Sequence, residues 1–400
     1  MRILVAHDYY RSSSPSGEDA VFLNEKALLV EKGIEVVPFE RFNDDIDDST
    51  LNRRLGVALN GAWSKRTYEE LSCVIRRTRP QLAHFHNTFP LISPSGYAAC
   101  QDNAVPVVQT LHNYRFVCAG ALLTRQGRPC EDCIGTSLLP ALRHRCYRGS
   151  LPATAAVVWM LARNRRHGVY KSLVNRYIAL THFAAAKLIA GGLPGTRIEV
   201  KPNFLPSVPE IGDGGGNYAV FVGRLSEEKG LRTLLKAWKA VEDLPLKIVG
   251  DGPLRGSLER QATEQRLAVE FLGFRSRDDT LDAVRHAQLQ IVPSECYEGF
   301  PMVILEAYAC GTPVVASRIG SLDEVVVEGE SGVKFEPGDP DDLARKVRIL
   351  LSDRGSLKAM RQKTRTLYDE KYTTDQNFAR LMDIYNDALR DFDQTRRWKQ

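Results

Sequence analysis

The sequence predicts an α/β protein built from two Rossmann-like domains, each a parallel sheet flanked by helices. Three observations carry this. A chain of 400 residues is too long for one compact core. Short segments that are apolar on both faces alternate with longer helical stretches, the pattern of buried parallel strands. That rhythm runs through the chain twice, interrupted once by a cluster of proline and glycine.

The first half offers strands at Arg2–His7, Glu35–Phe39, Leu82–Asn87, Val105–His112, Arg176–Thr181 and Ile198–Asn203. The second half offers Tyr218–Leu225, Leu246–Gly250, Val269–Phe274, Leu289–Ser294, Pro313–Ser317 and Gly332–Glu336. Between them, Pro206, Pro209 and the run Gly214-Gly215-Gly216 read as a linker. The expected division is an N-terminal domain over 1–204, with a cysteine-bearing insertion at about 113–150. A linker over 205–217 and a C-terminal domain over 218–380 follow. A last helix over 381–400 carries Leu381, Ile384, Tyr385 and Leu389 on one face and crosses back to the N-terminal domain; the basic tail Arg396-Arg397-Trp398-Lys399 ends it. In open α/β sheets ligands sit beyond the carboxyl ends of the strands, so the chemistry is expected in the loops there, facing a central cleft.

Composition narrows the function. Apolar residues are 43% and charged residues 26%, ordinary for a folded chain. Met1–Asp8 meets charge before a long apolar run develops, which argues against a signal peptide and for a cytoplasmic protein. The longest apolar stretch, Leu151–Ala162, is shorter than the roughly 20 residues of a spanning helix. Residues 1–200 carry a net charge of +8 and residues 201–400 a net of −3; nine basic and no acidic residues lie between Cys133 and Lys187. Such a run fits either an anionic membrane surface, placing the protein at the inner face of the membrane, or a solvated helix face. No nucleic-acid motif accompanies it.

Two motifs carry the chemistry. In Pro293-Ser294-Glu295-Cys296-Tyr297-Glu298-Gly299-Phe300-Pro301-Met302-Val303-Ile304-Leu305-Glu306 a strand ends, a glycine lets backbone approach a ligand, and a helix begins. The amides of the Phe300–Met302 turn suit a diphosphate, while Glu298 and Glu306 can accept hydrogen bonds from sugar hydroxyls. Glu306 stands in an apolar run, where an unpartnered carboxylate is costly. In Phe221-Val222-Gly223-Arg224-Leu225-Ser226-Glu227-Glu228-Lys229-Gly230 a strand runs into a glycine turn. Arg224 and Lys229 there can neutralise charge growing on a departing phosphate. Gly250-Asp251-Gly252 looks like part of a dinucleotide fingerprint, but its third glycine is misplaced, so no nicotinamide is expected.

With these motifs the chain resembles the retaining glycosyltransferases of family 4, which have the two-domain GT-B fold. The match is densest over Gly223-Arg224-Leu225, Glu228-Lys229-Gly230, Val249-Gly250-Asp251-Gly252-Pro253, Phe271-Leu272-Gly273-Phe274, Glu298-x7-Glu306 and Gly311-Thr312-Pro313. The resemblance implies a nucleoside-diphosphate-sugar donor. Glu298 would contact its sugar, Glu306 its ribose, and Arg224 with Lys229 its diphosphate. Phe274 and Arg275 would flank the base; Gly223, Gly250, Gly252, Gly299, Phe300, Pro301, Met302 and Val303 would line the donor. In the first half, the strand ending at His112 resembles the family's strand with an active-site histidine, and His86 is a second candidate on the acceptor side. Ser16-Gly17-Glu18-Asp19 lacks the family's glycine pair yet fits a capping box facing phosphates or acceptor.

The implied reaction moves the sugar to a hydroxyl of a glycan or lipid-linked acceptor, as in cell-surface polysaccharide assembly. A front-side displacement needs no metal or other cofactor for catalysis. A GT-B epimerase or phosphorylase, or a non-catalytic nucleotide-sugar-binding subunit, are the alternatives. Cys118, Cys130, Cys133 and Cys146, spaced C-x11-C-x2-C-x12-C, fit either a structural zinc site or four reduced thiols.

Overall fold

The computed structural model describes residues 1–13, 16–47 and 49–397, so Trp398 and Lys399 of the basic tail, and the side chains of Arg396 and Arg397, lie outside the described residues. Two compact units emerge: residues 1–122, 131–202 and 374–400, and residues 123–130 with 203–373.

The N-terminal unit is built on β1 (Arg2–Tyr9), β2 (Glu35–Phe42), β3 (Leu82–Phe85) and β4 (Val107–Leu111). A short antiparallel hairpin, β5 (Thr124–Arg125) and β6 (Arg128–Pro129), groups with the other unit; β7 (Arg176–Ala179) and β8 (Ile198–Val200) complete the first sheet. Its order is β2-β1-β3-β4-β7-β8, all parallel. Ile3, Val5, Leu82, Val108 and Ile178 face one side of it and pack on Leu381, Ile384, Tyr385 and Ala388 of the last helix. That helix begins at Thr374 rather than at 381 and belongs to the N-terminal unit from its first turn. The early start has a physical reason: Asn377 donates to Pro202 O at 2.6 Å and accepts from Lys201 Nζ at 3.0 Å, which ties the first turn down.

The C-terminal unit follows with β9 (Ala219–Val222), β10 (Leu246–Val249), β11 (Val269–Gly273), β12 (Leu289–Val292), β13 (Val314–Ser317) and β14 (Gly332–Phe335). Their order is β11-β10-β9-β12-β13-β14, again all parallel. Side chains alternate strictly between two apolar layers. Ala219, Phe221, Ile248, Leu289, Ile291 and Val315 enter one; Val220, Val249, Val292, Val314 and Ala316 enter the other. A sheet covered on both faces needs strands rich in apolar residues on both sides, which the sequence supplies, with Lys247, Glu270, Gln290, Ser317 and Lys334 the polar exceptions.

The segment expected as a linker, 205–217, is instead part of the C-terminal unit. Leu205 is buried, the Gly212 amide donates to Cys310 O at 3.0 Å, and the Gly216 amide donates to His286 O at 2.9 Å. A Cβ on Gly212 would lie 1.8 Å from Arg285 O, so this glycine permits close backbone packing rather than flexibility. No helix among the described residues is long and apolar enough to cross a membrane.

Gly230 tests the packing logic. Its φ is +68°, and a Cβ there would stand 1.8 Å from Pro293 O. Gly230→Ala should cost about 2 kcal/mol or more through strain and clash. Chemical denaturation reads this as a lowered midpoint; an unchanged midpoint refutes the account.

Candidate functional site

In each sheet the strand order reverses once, and loops leaving neighbouring strands on either side of the reversal meet at the carboxyl edge. In the C-terminal unit the reversal lies between β9 and β12. The loop after β9 is pinned to its neighbours by backbone. Gly223 donates to Val249 O at 3.0 Å, Gly250 to Gly273 O at 2.8 Å, and Leu225 to Asp251 O at 2.9 Å. Gly250 has φ +133°, and a Cβ on it would lie 1.9 Å from Gly223 O; one on Gly252 would lie 2.5 Å from Leu225 O. Across the reversal, the Glu295 amide donates to Glu228 O at 2.9 Å.

These contacts set Lys229, on a single 3-10 turn, against Glu298 in the loop after β12. Lys229 Nζ donates to Glu298 Oε1 at 2.6 Å, and Ser294 Oγ donates to the same oxygen at 2.7 Å. Burial pushes Glu298 up, but Lys229 and Ser294 outweigh it and hold the carboxyl below its usual range. Burial likewise pushes Lys229 down, and Glu298 more than restores it. Both partners are therefore charged. No donor among the described residues reaches Glu298 Oε2.

Glu306 stands in the helix Met302–Ala309, half-buried, and its carboxylate has no hydrogen bond among the described residues. Burial raises it to about 7, opposed by Arg277. The helix starts at Met302, with Pro301 at its N-cap and no capping side chain, so its first amides stay open to an anion. Arg224 is exposed and has no ion-pair partner among the described residues. Of the four charged residues expected to meet, the structure joins Lys229 to Glu298 directly; no described contact joins Arg224 or Glu306 to them. Phe274, following β11, is 83% exposed, a bare ring at the same edge, with Arg275 exposed beside it. Val303 O accepts from Gln290 Nε2 at 2.9 Å, Gly299 O accepts from Ser321 Oγ at 3.2 Å, and Phe300 packs on Tyr372. A cavity of about 1700 Å³ lies elsewhere, at the amino ends of the strands between Asn217, Leu244 and Gln288.

In the N-terminal unit the reversal lies between β1 and β3. The helix Gly17–Glu31 opens with a capping box: Ser16 Oγ accepts from the Glu18 amide at 3.3 Å, and Asp19 Oδ2 accepts from the Ser16 amide at 3.4 Å. Gly17 itself is exposed, with nothing within 4 Å of where its Cβ would be. His112 follows β4 and His86 follows β3, and the two rings stack with His86 Nδ1 2.9 Å from His112 Nε2. Behind them lie residues that the sequence reading missed. Glu25 Oε1 is 3.1 Å from His86 Nε2 and 3.2 Å from His84 Nδ1; its other oxygen accepts from Lys201 Nζ at 2.9 Å. The only available signal was His84-Phe85-His86, whose alternation sends both rings to one face of a strand.

Glu25, His84 and His86 also satisfy metal-ligand spacing, their ligand atoms lying within 4.8 Å of one another. The Lys201 ammonium occupies the carboxylate, however, so the group reads as a satisfied ionic network and not as a metal site. Of the candidate zinc ligands, Cys118 and Cys146 flank Gly120, whose Cβ would stand 3.8 Å from Cys118 Sγ and 3.8 Å from Cys146 Cβ. Cys133 and Cys146 pack against one apolar cluster, while Cys130 lies in the segment grouped with the C-terminal unit. The basic run is only partly a surface feature. Arg165 is half-buried and donates to Phe116 O at 3.2 Å, Arg163 lies over Trp63, and Lys187 pairs with Glu131 at 2.6 Å. Arg143, Arg145 and Arg148 are exposed, near the exposed Leu139 and Leu151.

Comparison with known proteins covers both units. A model of the family described as Glycosyltransferase Family 4 matches residues 21–206, and one described as Glycosyl transferases group 1 matches residues 209–367. An uncharacterized glycosyltransferase of Methanocaldococcus jannaschii is 36% identical over 142 residues, 35% of this chain and 40% of that protein. The D-inositol 3-phosphate glycosyltransferase of Salinispora tropica is 34% identical over 190 residues, 44% of this chain and 39% of that protein. The chain thus spans less than half the length of these curated relatives. The crystal structure of Anabaena HepE in complex with UDP is similar in fold, with a TM-score of 0.67, 19% identity, and 96% of this chain and 100% of that one covered.

The raised Glu306 carboxyl makes a pH-dependent prediction. Its value climbs from an ordinary 4.5 in the unfolded chain to about 7 when folded. The folded state therefore binds the proton more tightly, and this group's contribution to stability falls as pH rises through that window, then levels off. Glu306→Gln should raise stability relative to the parent by on the order of 1–3 kcal/mol more at pH 8 than at pH 5. Thermal midpoints at the two pH values check it; a pH-independent difference refutes it.

Proposed function

Because the chain belongs to the family 4, group 1 glycosyltransferases and has their GT-B fold, we propose that it is a retaining enzyme moving a sugar from a nucleoside-diphosphate-sugar to a hydroxyl acceptor. The carrying observation is the Lys229–Glu298 pair at the strand reversal of the C-terminal unit, charged on both sides and short of ligands on one. Lys229, the exposed Arg224 and the open amides of the helix from Met302 receive the diphosphate and the charge that develops on it. Glu298 Oε2 accepts from a sugar hydroxyl, the unpartnered Glu306 from the ribose hydroxyls, and Phe274 with Arg275 flanks the base.

Bond making and breaking occur on one face of the sugar. The acceptor oxygen bonds to the anomeric carbon as the glycosidic C–O bond to the diphosphate breaks, and the acceptor's proton passes to the leaving phosphate oxygen. The protein supplies positioning and charge, with no metal in the step. Gly17 and the capping box around it are assigned to phosphate or acceptor contacts, and His112 to a hydroxyl of the sugar or acceptor. Among the described residues no three of Cys118, Cys130, Cys133 and Cys146 are brought within metal-ligand spacing, so of the two readings we propose reduced thiols over a structural zinc site, and zinc found in the purified protein overturns that.

Lys229→Ala and Glu298→Ala should each lower turnover by about 10²–10³-fold, measured as nucleoside diphosphate released with a donor chosen from a UDP-, GDP- and dTDP-sugar panel. Full activity in both variants sinks the reading. An anionic membrane surface is proposed as the acceptor's location, and the exposed Arg143, Arg145 and Arg148 are among the side chains proposed to meet it. Neutralising all three should weaken binding to vesicles containing anionic lipid by on the order of 100-fold, at about 1 kcal/mol per charge. Sedimentation with unchanged binding would remove the membrane from the proposal.

A further inference from the structure

In the N-terminal unit, Glu25, His86 and His112 form a hydrogen-bonded chain in which the proton on each member dictates that on the next. Glu25 Oε2 accepts from Lys201 Nζ at 2.9 Å, and the same ammonium donates to Asn377 Oδ1 at 3.0 Å. Burial would raise Glu25, but Lys201, His84 and His86 outweigh it and hold the carboxyl well below its usual range. An ionised carboxylate only accepts. His86 Nε2, 3.1 Å from Glu25 Oε1, must therefore carry a hydrogen and donate it. Burial lowers His86 to about 3, so the ring is neutral and its Nδ1 is bare. That bare nitrogen lies 2.9 Å from His112 Nε2, which must then be the donor. Burial also holds His112 well below its usual range, leaving one proton on the ring and none on Nδ1.

The reverse assignment fails at two places. A proton on His112 Nδ1 would set two lone pairs against each other at 2.9 Å, or turn a lone pair of His86 toward Glu25 at 3.1 Å. The third ring cannot relieve this. His84 is engaged on both nitrogens, by Tyr385 Oη and by Thr110 Oγ1, each at 2.8 Å. His112 meanwhile lines a small cavity of about 30 Å³ with Glu18, Asn113 and Arg115. Glu18 there already accepts from Asn113 Nδ2 at 2.7 Å and from Tyr10 Oη at 3.1 Å. No donor among the described residues meets His112 Nδ1.

We infer that Glu25 and His86 are positioning residues that lock His112 as the Nε2–H tautomer, so that its Nδ1 lone pair receives a hydrogen bond from a hydroxyl of bound sugar or acceptor. The identity of that hydroxyl rests on the glycosyltransferase reading; the tautomer does not. Glu25, bonded to Lys201, orients the rings and is not a proton sink, so the chain sets direction without carrying a proton away.

The test is direct observation of the rings. In the full chain labelled with ¹⁵N-histidine, the signals lost in His86→Asn and in His112→Asn identify two of the eight histidines. Both rings are expected to be neutral with the proton on Nε2 at pH 7. A proton on His112 Nδ1, or an imidazolium at either position, overturns the inference. Glu25→Gln keeps the shape, but its carbonyl must face the Lys201 ammonium and its amide must donate to His86 Nε2, so His112 should then shift to the Nδ1–H tautomer. In His86→Asn, kcat/KM for transfer should fall about 10–100-fold, as for other outer residues that orient a ligand-binding imidazole, while nucleoside diphosphate affinity is unchanged. A lowered thermal midpoint with tautomer and kcat/KM both unchanged would mark the chain as packing alone and equally overturn it. Should Glu25→Gln not fold, the parent spectrum and His86→Asn still decide. If no donor supports transfer at all, the glycosyltransferase reading falls while the spectra continue to judge the tautomer.

Discussion

Parallel strand pairing is the constraint on which the whole arrangement depends. It sends every loop that follows a strand to one edge of its sheet, and where strand order reverses, two such loops become neighbours. In the C-terminal unit this brings the turn bearing Lys229 against the loop bearing Glu298, although 69 residues separate them. The approach is closer than side chains permit, and glycines make it possible. At Gly230 and Gly250 a Cβ would stand under 2 Å from a neighbouring carbonyl oxygen. The charged pair is thus a consequence of backbone packing, not of attraction between two mobile side chains.

The two units handle buried charge differently. Glu25 and Lys201 are sealed from water, and a pair so placed persists only when its remaining donors and acceptors are met. Asn377 and two histidines meet them. The network therefore reaches from the last helix, through the sheet, to the ring of His112. In the C-terminal unit the opposite holds. Among the described residues, Glu298 keeps one oxygen open, the Glu306 carboxylate has no hydrogen bond and is pushed up to about 7, and Arg224 is exposed. Closed networks fix geometry, whereas the open groups are those proposed to take a ligand. That contrast separates the residues proposed to orient from those proposed to bind.

Much of this was legible in the chain. Short runs rich in apolar residues located all twelve strands of the two sheets, because a parallel sheet covered on both sides favours apolar residues over polar alternation, even with Glu40, Lys247, Glu270 and Gln290 among them. Gly223, Arg224, Lys229, Glu298 and Glu306 could be singled out because a strand, a glycine and a helix start lie within a few residues of each, so local sequence states the local geometry. The segment 205–217 misled for an instructive reason. Glycine reports only that a Cβ is unwelcome, and the cause at Gly212 is the Arg285 carbonyl, which no local pattern reveals. The basic run misled similarly: charge is visible in a sequence, but the turning of Arg165 inward to Phe116 O is not.

By itself, then, the sequence determined the strands, their parallel pairing class, the alternation that fills two apolar layers, and the loops in which charge would gather. Those follow from short-range periodicity and backbone preference. Only the tertiary structure decided which of the charged groups touch, that Lys229 meets Glu298 while Glu306 stays unpartnered, and that Glu25, Lys201 and Asn377 stand behind His86 and His112. Such contacts join residues up to 176 apart, and hydrogen bonds depend on distances of tenths of an ångström that packing sets and no local rule encodes.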